Sequence, residues 1–116
     1  MKNIKELDTA IANPEIKVTA NHTFFWAYRD SQEAEAEFLD FSDVIWDTDI
    51  EPILADCKKY GITEFTISST FSGLLDTIAL FIKLGCKMEG LVYVNSRHID
   101  IFTRERKILP ALKFSV

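Results

Sequence analysis

The apolar positions of the first segment, NIKELDTAIAN, recur at helical spacing, with Ile4, Leu7 and Ile11 on one face. Asn3 is placed to cap this helix with Glu6 reaching back to it, and Asn13-Pro14 ends it. From Ile16 to Tyr28 the period changes to two. Ile16, Val18, Ala20, His22, Phe24, Trp26 and Tyr28 fall on one side, and Lys17, Thr19, Asn21, Thr23 and Arg29 on the other. That alternation predicts one long strand, or two with a bend near Asn21.

Between Ser31 and Asp47 the pattern is mixed. Ala34, Phe38, Phe41 and Ile45 fit a helical stripe, while FSDVIW equally suits an extended piece, and the assignment is a short helix from about Gln32 to Leu39. Asp49 then caps a clearer helix, with Pro52 in its first turn, Ile53, Leu54, Cys57 and Tyr60 as its apolar face, and Gly61 as its stop.

EFTISS predicts a strand, and SGLLDTIALFIKLG a helix so apolar that most of it should be buried. MEGLVYV predicts a strand covered on both faces, at the centre of a sheet. The strands flanking that helix should run parallel, as a right-handed β-α-β unit at about residues 63–95. HIDIFT and KILPALKFSV form a closing hairpin, and Pro110 restricts the last strand to an edge or a bulge. The expected fold is α/β, with α+β as its variant: a single domain over residues 1–116 with a mixed sheet of about four or five strands.

Composition supports one packed core. A chain of 116 residues leaves no room for two, and 47% hydrophobic residues with nine Phe and two Trp argue against disorder. The polar opening MKNIKELD predicts neither a signal peptide nor a membrane span, hence a cytoplasmic protein in which the Asn21-His22-Thr23 sequon has no role. Cys57 and Cys86 lack metal-site spacing and are expected as reduced, buried thiols.

Charge changes the picture most. Ten of the 18 acidic residues lie between Asp30 and Asp56, namely Asp30, Glu33, Glu35, Glu37, Asp40, Asp43, Asp47, Asp49, Glu51 and Asp56, with no Lys or Arg among them. All 13 basic residues lie elsewhere, so the formal charge of −5 conceals a strongly polar distribution. Such a segment repels nucleic acid and attracts basic surfaces. Glu33, Glu35, Glu37, Asp40, Asp43 and Asp47, with Phe38, Phe41 and Trp46 as hydrophobic anchors, are candidate partner-binding residues that would imitate a phosphate backbone. The plainer reading is a solvated acidic face that keeps a Phe-rich protein soluble, with Asp49 and Glu51 favoured by a helix dipole.

The run Ser68, Ser69, Thr70, Phe71, Ser72, Gly73 joins a strand to a helix, where α/β sheets commonly bind ligands. Ser68, Ser69, Thr70, Ser72 and Gly73 are thus candidates for holding a small anion or nucleotide on free backbone N–H groups. One Gly and no cation fall short of a phosphate loop, and capping of the helix by Ser72 or Thr70 accounts for the same composition. His22, on the apolar side of its strand, is expected as a buried, hydrogen-bonded histidine. His98 has no partner at triad or metal spacing. Arg97, Arg104, Arg106 and Lys107 form a basic group too small to imply DNA binding. No cofactor, metal or catalytic constellation is implied.

The words NHTFFWAY, DVIWDTDIEPILADCKKYGITEFTISSTFSGLLDTIALFIKLGC and MEGLVYVNS resemble a small family of uncharacterised proteins encoded on phages and integrative mobile elements of Gram-positive bacteria. The resemblance covers most of the chain and carries over no catalytic residues. It implies a small acidic protein that inhibits a host nucleic-acid-handling or defence enzyme, of anti-CRISPR or antirestriction type, or that adjusts maintenance of the element. Two functional readings follow: a non-enzymatic protein-interaction module that meets a basic surface, and a small anionic-ligand or nucleotide domain built on the SSTFSG turn.

Overall fold

The computed structural model describes residues 1–116. Helices α1 (Lys5–Ala12) and α2 (His22–Glu33) lead into strand β1 (Leu39–Phe41). Helix α3 (Asp47–Tyr60), strand β2 (Glu64–Ile67) and helix α4 (Leu74–Lys83) follow, and the long strands β3 (Lys87–Ile99) and β4 (Arg106–Ser115) close the chain. The sheet is mixed and has the order β1-β2-β4-β3. No helix is long and apolar enough to cross a membrane.

Strands β1 and β2 pair in parallel around the α3 crossover, while β4 is antiparallel to both β2 and β3. The strands on either side of α4 therefore do run in the same direction, as the strand–helix–strand pattern implied, with β4 inserted between them. This α/β arrangement puts the last strand in the middle. Pro110 is accommodated there because β2 pairs only with Leu112–Ser115, so at Pro110 the strand has β3 on one side alone.

Four expectations about local structure are corrected. The alternating stretch from Ile16 to Tyr28 is not a strand: residues from His22 onward form α2, because Asn21 accepts a hydrogen bond from the Phe24 N–H at 3.0 Å. The resulting helix buries Phe24, Ala27, Tyr28 and Ser31, at i, i+3, i+4 and i+7. The short helix assigned to Gln32–Leu39 is absent; α2 stops at Glu33, Glu35 takes a left-handed φ of 55°, and β1 begins at Leu39. Asn3 does not cap α1, whose N-cap is Ile4, and the Ile4 N–H is held by the Tyr28 hydroxyl at 2.8 Å. Asp49 is the third residue of α3 rather than its cap, and it accepts from the Trp46 N–H at 3.0 Å. Pro52 consequently lies beyond the first turn, on the exposed side. Gly61 does end α3, at φ 70°, with Ile62 N–H returning to the Cys57 carbonyl at 2.8 Å.

The core lies on the sheet face carrying Leu39, Phe41, Phe65, Ile67 and Phe114, against Ile50, Ile53 and Cys57 of α3 and Phe81 of α4. Cys57 and Cys86 are buried free thiols, and burial pushes the Cys57 thiol up to about 12. Neither α4 nor β3 is enclosed as its apolar composition suggested. Leu75 and Ile82 of α4 are exposed, and β3 is an edge strand whose Leu91 and Tyr93 are 72% and 76% exposed. The small sheet accounts for this: α4 reaches the core through Phe81, and the distal half of the β3–β4 hairpin has no helix over that face.

The free edge of β1 is closed. The Ser31 hydroxyl accepts the Asp40 N–H at 2.9 Å and donates to the Asp40 carbonyl at 3.3 Å, so one side chain of α2 satisfies both backbone groups that a neighbouring strand would have paired.

Candidate functional site

Two clefts form around β1, and they differ in chemistry. The first lies between the N-terminal half of α2 and the loop from β1 to α3, has a volume of about 360 Å³, and is walled by Trp26 and Trp46 with Asp43 on its rim. Its position follows from a clamp of hydrogen bonds between the starts of α2 and α3. Asp49 accepts from Asn21 Nδ2 at 3.1 Å and from the Thr23 hydroxyl at 2.8 Å, and Asp56 accepts the Asn21 N–H at 2.7 Å. These two carboxylates of the acidic segment therefore fix the distance between the tryptophan walls.

Trp26 stands on the outer face of α2, opposite the buried stripe. Its indole N–H donates to His22 Nε2 one turn earlier, and the Arg29 guanidinium lies 4.0 Å from the ring centroid. His22 is thus an exposed residue of the first helical turn and not a buried strand histidine. Trp46 precedes α3 and is 66% exposed, while its neighbour Ile45 is buried and anchors the loop. Asp43 accepts its own loop's Val44 N–H at 2.8 Å, and Asp43 and Asp47, which precede and follow Trp46 in the chain, are both exposed.

The remaining acidic candidates are distributed differently. Asp40 and Phe41 are buried in β1, the latter edge-on to Phe65 at 5.6 Å. Phe38 is half-buried beneath the Lys113 ammonium, 4.8 Å from its centroid. Glu33, Glu35 and Glu37 are exposed but precede β1, whereas Asp43 and Asp47 follow it, so the two groups stand at opposite ends of that strand. Part of the charge is met within the molecule: Arg97 pairs with Asp30 at 3.3 Å and Arg106 with Glu35 at 3.5 Å. Phe41, Asp43 and Trp46 are the members of the predicted set that line this cleft, and Asp47 is an exposed residue at the start of α3. Trp26 and His22 were missed by sequence reasoning, although their i, i+4 spacing was a signal once the segment is taken as helical.

The second cleft is smaller, about 140 Å³, and opens at the carboxyl ends of β1 and β2, lined by Asp30, Asp40, Ser42, Ser68, Arg97 and His98 among others. Asp40 is its buried acid. The Thr66 hydroxyl donates to one carboxylate oxygen at 2.7 Å and the Ser68 hydroxyl to the other at 2.6 Å. Burial pushes the Asp40 carboxyl above its ordinary value, and these hydroxyls pull it partly back. Because the folded chain holds this proton more tightly than the unfolded one, the stabilising contribution is complete below the usual carboxyl range of about 4 and is lost as pH rises through the folded value. Asp40→Asn, which keeps the shape and one acceptor oxygen while the hydroxyl on the other side turns to accept from the amide NH2, is therefore expected to gain stability relative to wild type as pH rises from acid towards neutral. Urea unfolding across that range measures it, and parallel curves for the two proteins would contradict it.

At the SSTFSG turn the polar groups are directed inward. Ser68 and Ser69 both donate their N–H to the Phe41 carbonyl, at 3.0 and 3.3 Å, and the Ser68 hydroxyl is on Asp40. Thr70 and Ser72 are exposed and neither caps α4; the N-cap is Gly73, which has no side chain to do so. The expected Ser/Thr cap is thereby corrected: the Leu74 N–H closes on the Phe71 carbonyl at 3.1 Å, and the helix starts after the glycine. The buried Ser69 hydroxyl has no hydrogen-bond partner. An anion at this turn would meet the Asp40 carboxylate close behind Ser68.

In comparison with known proteins, a family model described as a domain of unknown function (DUF7698) matches residues 23–116, which leaves α1 outside it. Neither the curated proteins nor the solved structures contain a match.

Proposed function

The chain belongs to the DUF7698 family, and we propose that it is a protein-interaction module, not an enzyme, whose two-tryptophan cleft receives a basic segment of a protein partner. One observation carries this reading: Trp46 stands 66% exposed on the cleft wall that the exposed Asp43 also lines. Tryptophans that line pockets are among the commonest anchors of binding energy. The Asp43 carboxylate on the rim selects for positive charge, and the stacking of Arg29 on Trp26 is an internal example of the contact an incoming arginine would make with Trp46. Nucleic-acid-handling proteins display such basic segments. A mobile-element or phage protein that blocks one, in the anti-CRISPR or antirestriction manner, is the biological role that fits this chemistry. Recognition by a compact cleft replaces imitation of a long phosphate row, since the free carboxylates stand at both ends of β1.

The two tryptophans of the chain both wall the cleft, so intrinsic fluorescence reports directly on its occupancy. Titration with an arginine-rich peptide is expected to change that emission, with affinity falling as salt rises. Trp46→Ala should weaken binding by roughly 30-fold, the equivalent of about 2 kcal/mol at a central anchor. Asp43→Asn with Asp47→Asn should flatten the salt dependence. Peptide binding that Trp46→Ala leaves intact and that Glu33→Gln, Glu35→Gln and Glu37→Gln abolish would move the site to the other end of β1 and defeat this assignment.

A further inference from the structure

The two clefts around β1 are arms of one groove. Asp30 of α2 and Ser42, the residue after β1, line both of them. Phe41 lies on the tryptophan side and Asp40 on the polar side, as the alternation of a strand requires, so the groove bends around the carboxyl end of β1. Asp40 is 6% exposed, and among the residues that line its arm only Ala34 and Leu109 are apolar. This acid has donors but no counter-charge. The hydroxyls of Thr66 and Ser68 each hold one of its oxygens, and none of the chain's four ion pairs includes it. Arg97, which lines the same arm, is held on Asp30 at 3.3 Å, where Arg29 also stands at 3.5 Å. A carboxylate buried without a cation is a costly arrangement, relieved by a proton or by a cationic ligand. Its two oxygens offer about four lone-pair sites, so the two hydroxyls leave room for a further donor.

We propose that the polar arm receives a lysine side chain of the same basic segment whose arginine stacks on Trp46, with the lysine ammonium on Asp40; in this it rests on the reading of the tryptophan cleft. Size and donor geometry select lysine. The arm has a volume of about 140 Å³, comparable to cavities that hold one benzene-sized group, which suits the end of a single side chain. The ammonium is a compact charge on a flexible four-carbon stem, able to reach an acid at the inner end of a narrow cleft, and its donors meet Asp40 and the Ser42 hydroxyl. A guanidinium is suited less well, because its planar fork binds best across both oxygens of a carboxylate. On Asp40 each oxygen already holds a hydroxyl, and Asp30 already carries two guanidiniums. Since the arms meet at Asp30 and Ser42, an extended segment with the lysine two residues from the arginine, about 6–7 Å along the chain, directs both side chains into the groove.

Tryptophan fluorescence titration of the full chain with two short peptides tests this. Lys-Ala-Arg-Ala-Lys presents a lysine two residues from the arginine in either chain direction, and Gln-Ala-Arg-Ala-Gln presents none. The lysine peptide is expected to bind the wild type about tenfold more tightly, as one charge-assisted hydrogen bond allows. In Asp40→Asn, which preserves the side-chain shape, that ratio should fall to about twofold, the part owed to charge at a distance. The glutamine peptide should bind both proteins alike. A second readout needs no variant: in the wild type the backbone amide resonances of Ser42 and Ser68 should shift with the lysine peptide and not with the glutamine one. An unchanged ratio in Asp40→Asn would overturn the proposal, because the lysines would then be answering the acidic surface at large. Equal binding of the two peptides by the wild type, or resonance shifts confined to the tryptophan arm with both, would overturn it too, while Trp46-dependent binding of the glutamine peptide kept the reading of that arm intact. Binding of neither peptide would remove that reading and this proposal together.

Discussion

Phe65→Ala is expected to cost about 3–5 kcal/mol and to lower the unfolding temperature by about 15 °C or more, because it removes the ring on which the core is organised. Phe65 is fully buried in β2 and contacts three other rings: Phe114 stacked at 5.3 Å, Phe81 tilted at 5.1 Å and Phe41 edge-on at 5.6 Å. These belong to β4, α4 and β1, so the one substitution loosens every layer that meets at the sheet. Each favourable ring pair adds about 0.5–1.5 kcal/mol beyond the area it buries. Against a total stability of about 5–15 kcal/mol for a domain, a loss of this size takes the chain close to its folding threshold. Denaturant titration followed by circular dichroism measures it. A loss under about 1 kcal/mol would mean that the four rings do not form the cooperative centre described above.

The second large effect is expected at Tyr28. Its hydroxyl accepts from the Ile4 N–H at 2.8 Å and from Gln32 Nε2 at 2.7 Å, and it donates to Asp8 at 2.6 Å. Burial, with the Asp8 carboxylate beside it, pushes the Tyr28 hydroxyl up to about 12, so it remains a donor throughout the physiological range. Tyr28→Phe keeps the ring and deletes this junction, leaving a buried backbone N–H without a partner, for which about 1–3 kcal/mol is the usual cost. The loss should be local. Helix α1 lies outside the family match, and Tyr28 is one of its principal attachments to the rest of the chain. Hydrogen exchange should therefore quicken across residues 5–12 far more than in β2 and β4. Equal protection of α1 in the variant and the wild type would show that the packing of Leu7 and Ile4 suffices.

Much of the second half of the fold was legible because its signals were local. Gly61 after an amphipathic run, a short β-rich word and a ten-residue apolar helix each specify one element regardless of neighbours. The first half was not, and the reasons are physical. Residues 16–28 carry a true alternation, but Phe24, Ala27, Tyr28 and Ser31 also carry a helical one, and the choice was made by the Asn21 cap and by packing against α3, which lie far apart in sequence. Strand β1 has three residues, too few for any periodicity, and its pairing with β2 depends on chain 26 residues away. Exposure was misjudged for a related reason. Apolar content says that a strand can be buried, not that there is enough protein to bury it, and here the sheet extends past the helices that would cover β3. At the site, Asp43 and Trp46 were visible as an acid near an aromatic. The opposite wall, Trp26 and His22, became visible only once α2 replaced the expected strand.

The hydroxyl of Ser31 has a consequence at the level of assembly. Since it satisfies both backbone groups of Asp40, β1 offers no template to an incoming strand, and the sheet has one usable edge instead of two. A molecule with two free edges can add copies without end and run into filaments, whereas one with a single free edge is closed as soon as that edge is occupied. Ser31→Ala would reopen the second edge and, with it, the route to open-ended growth.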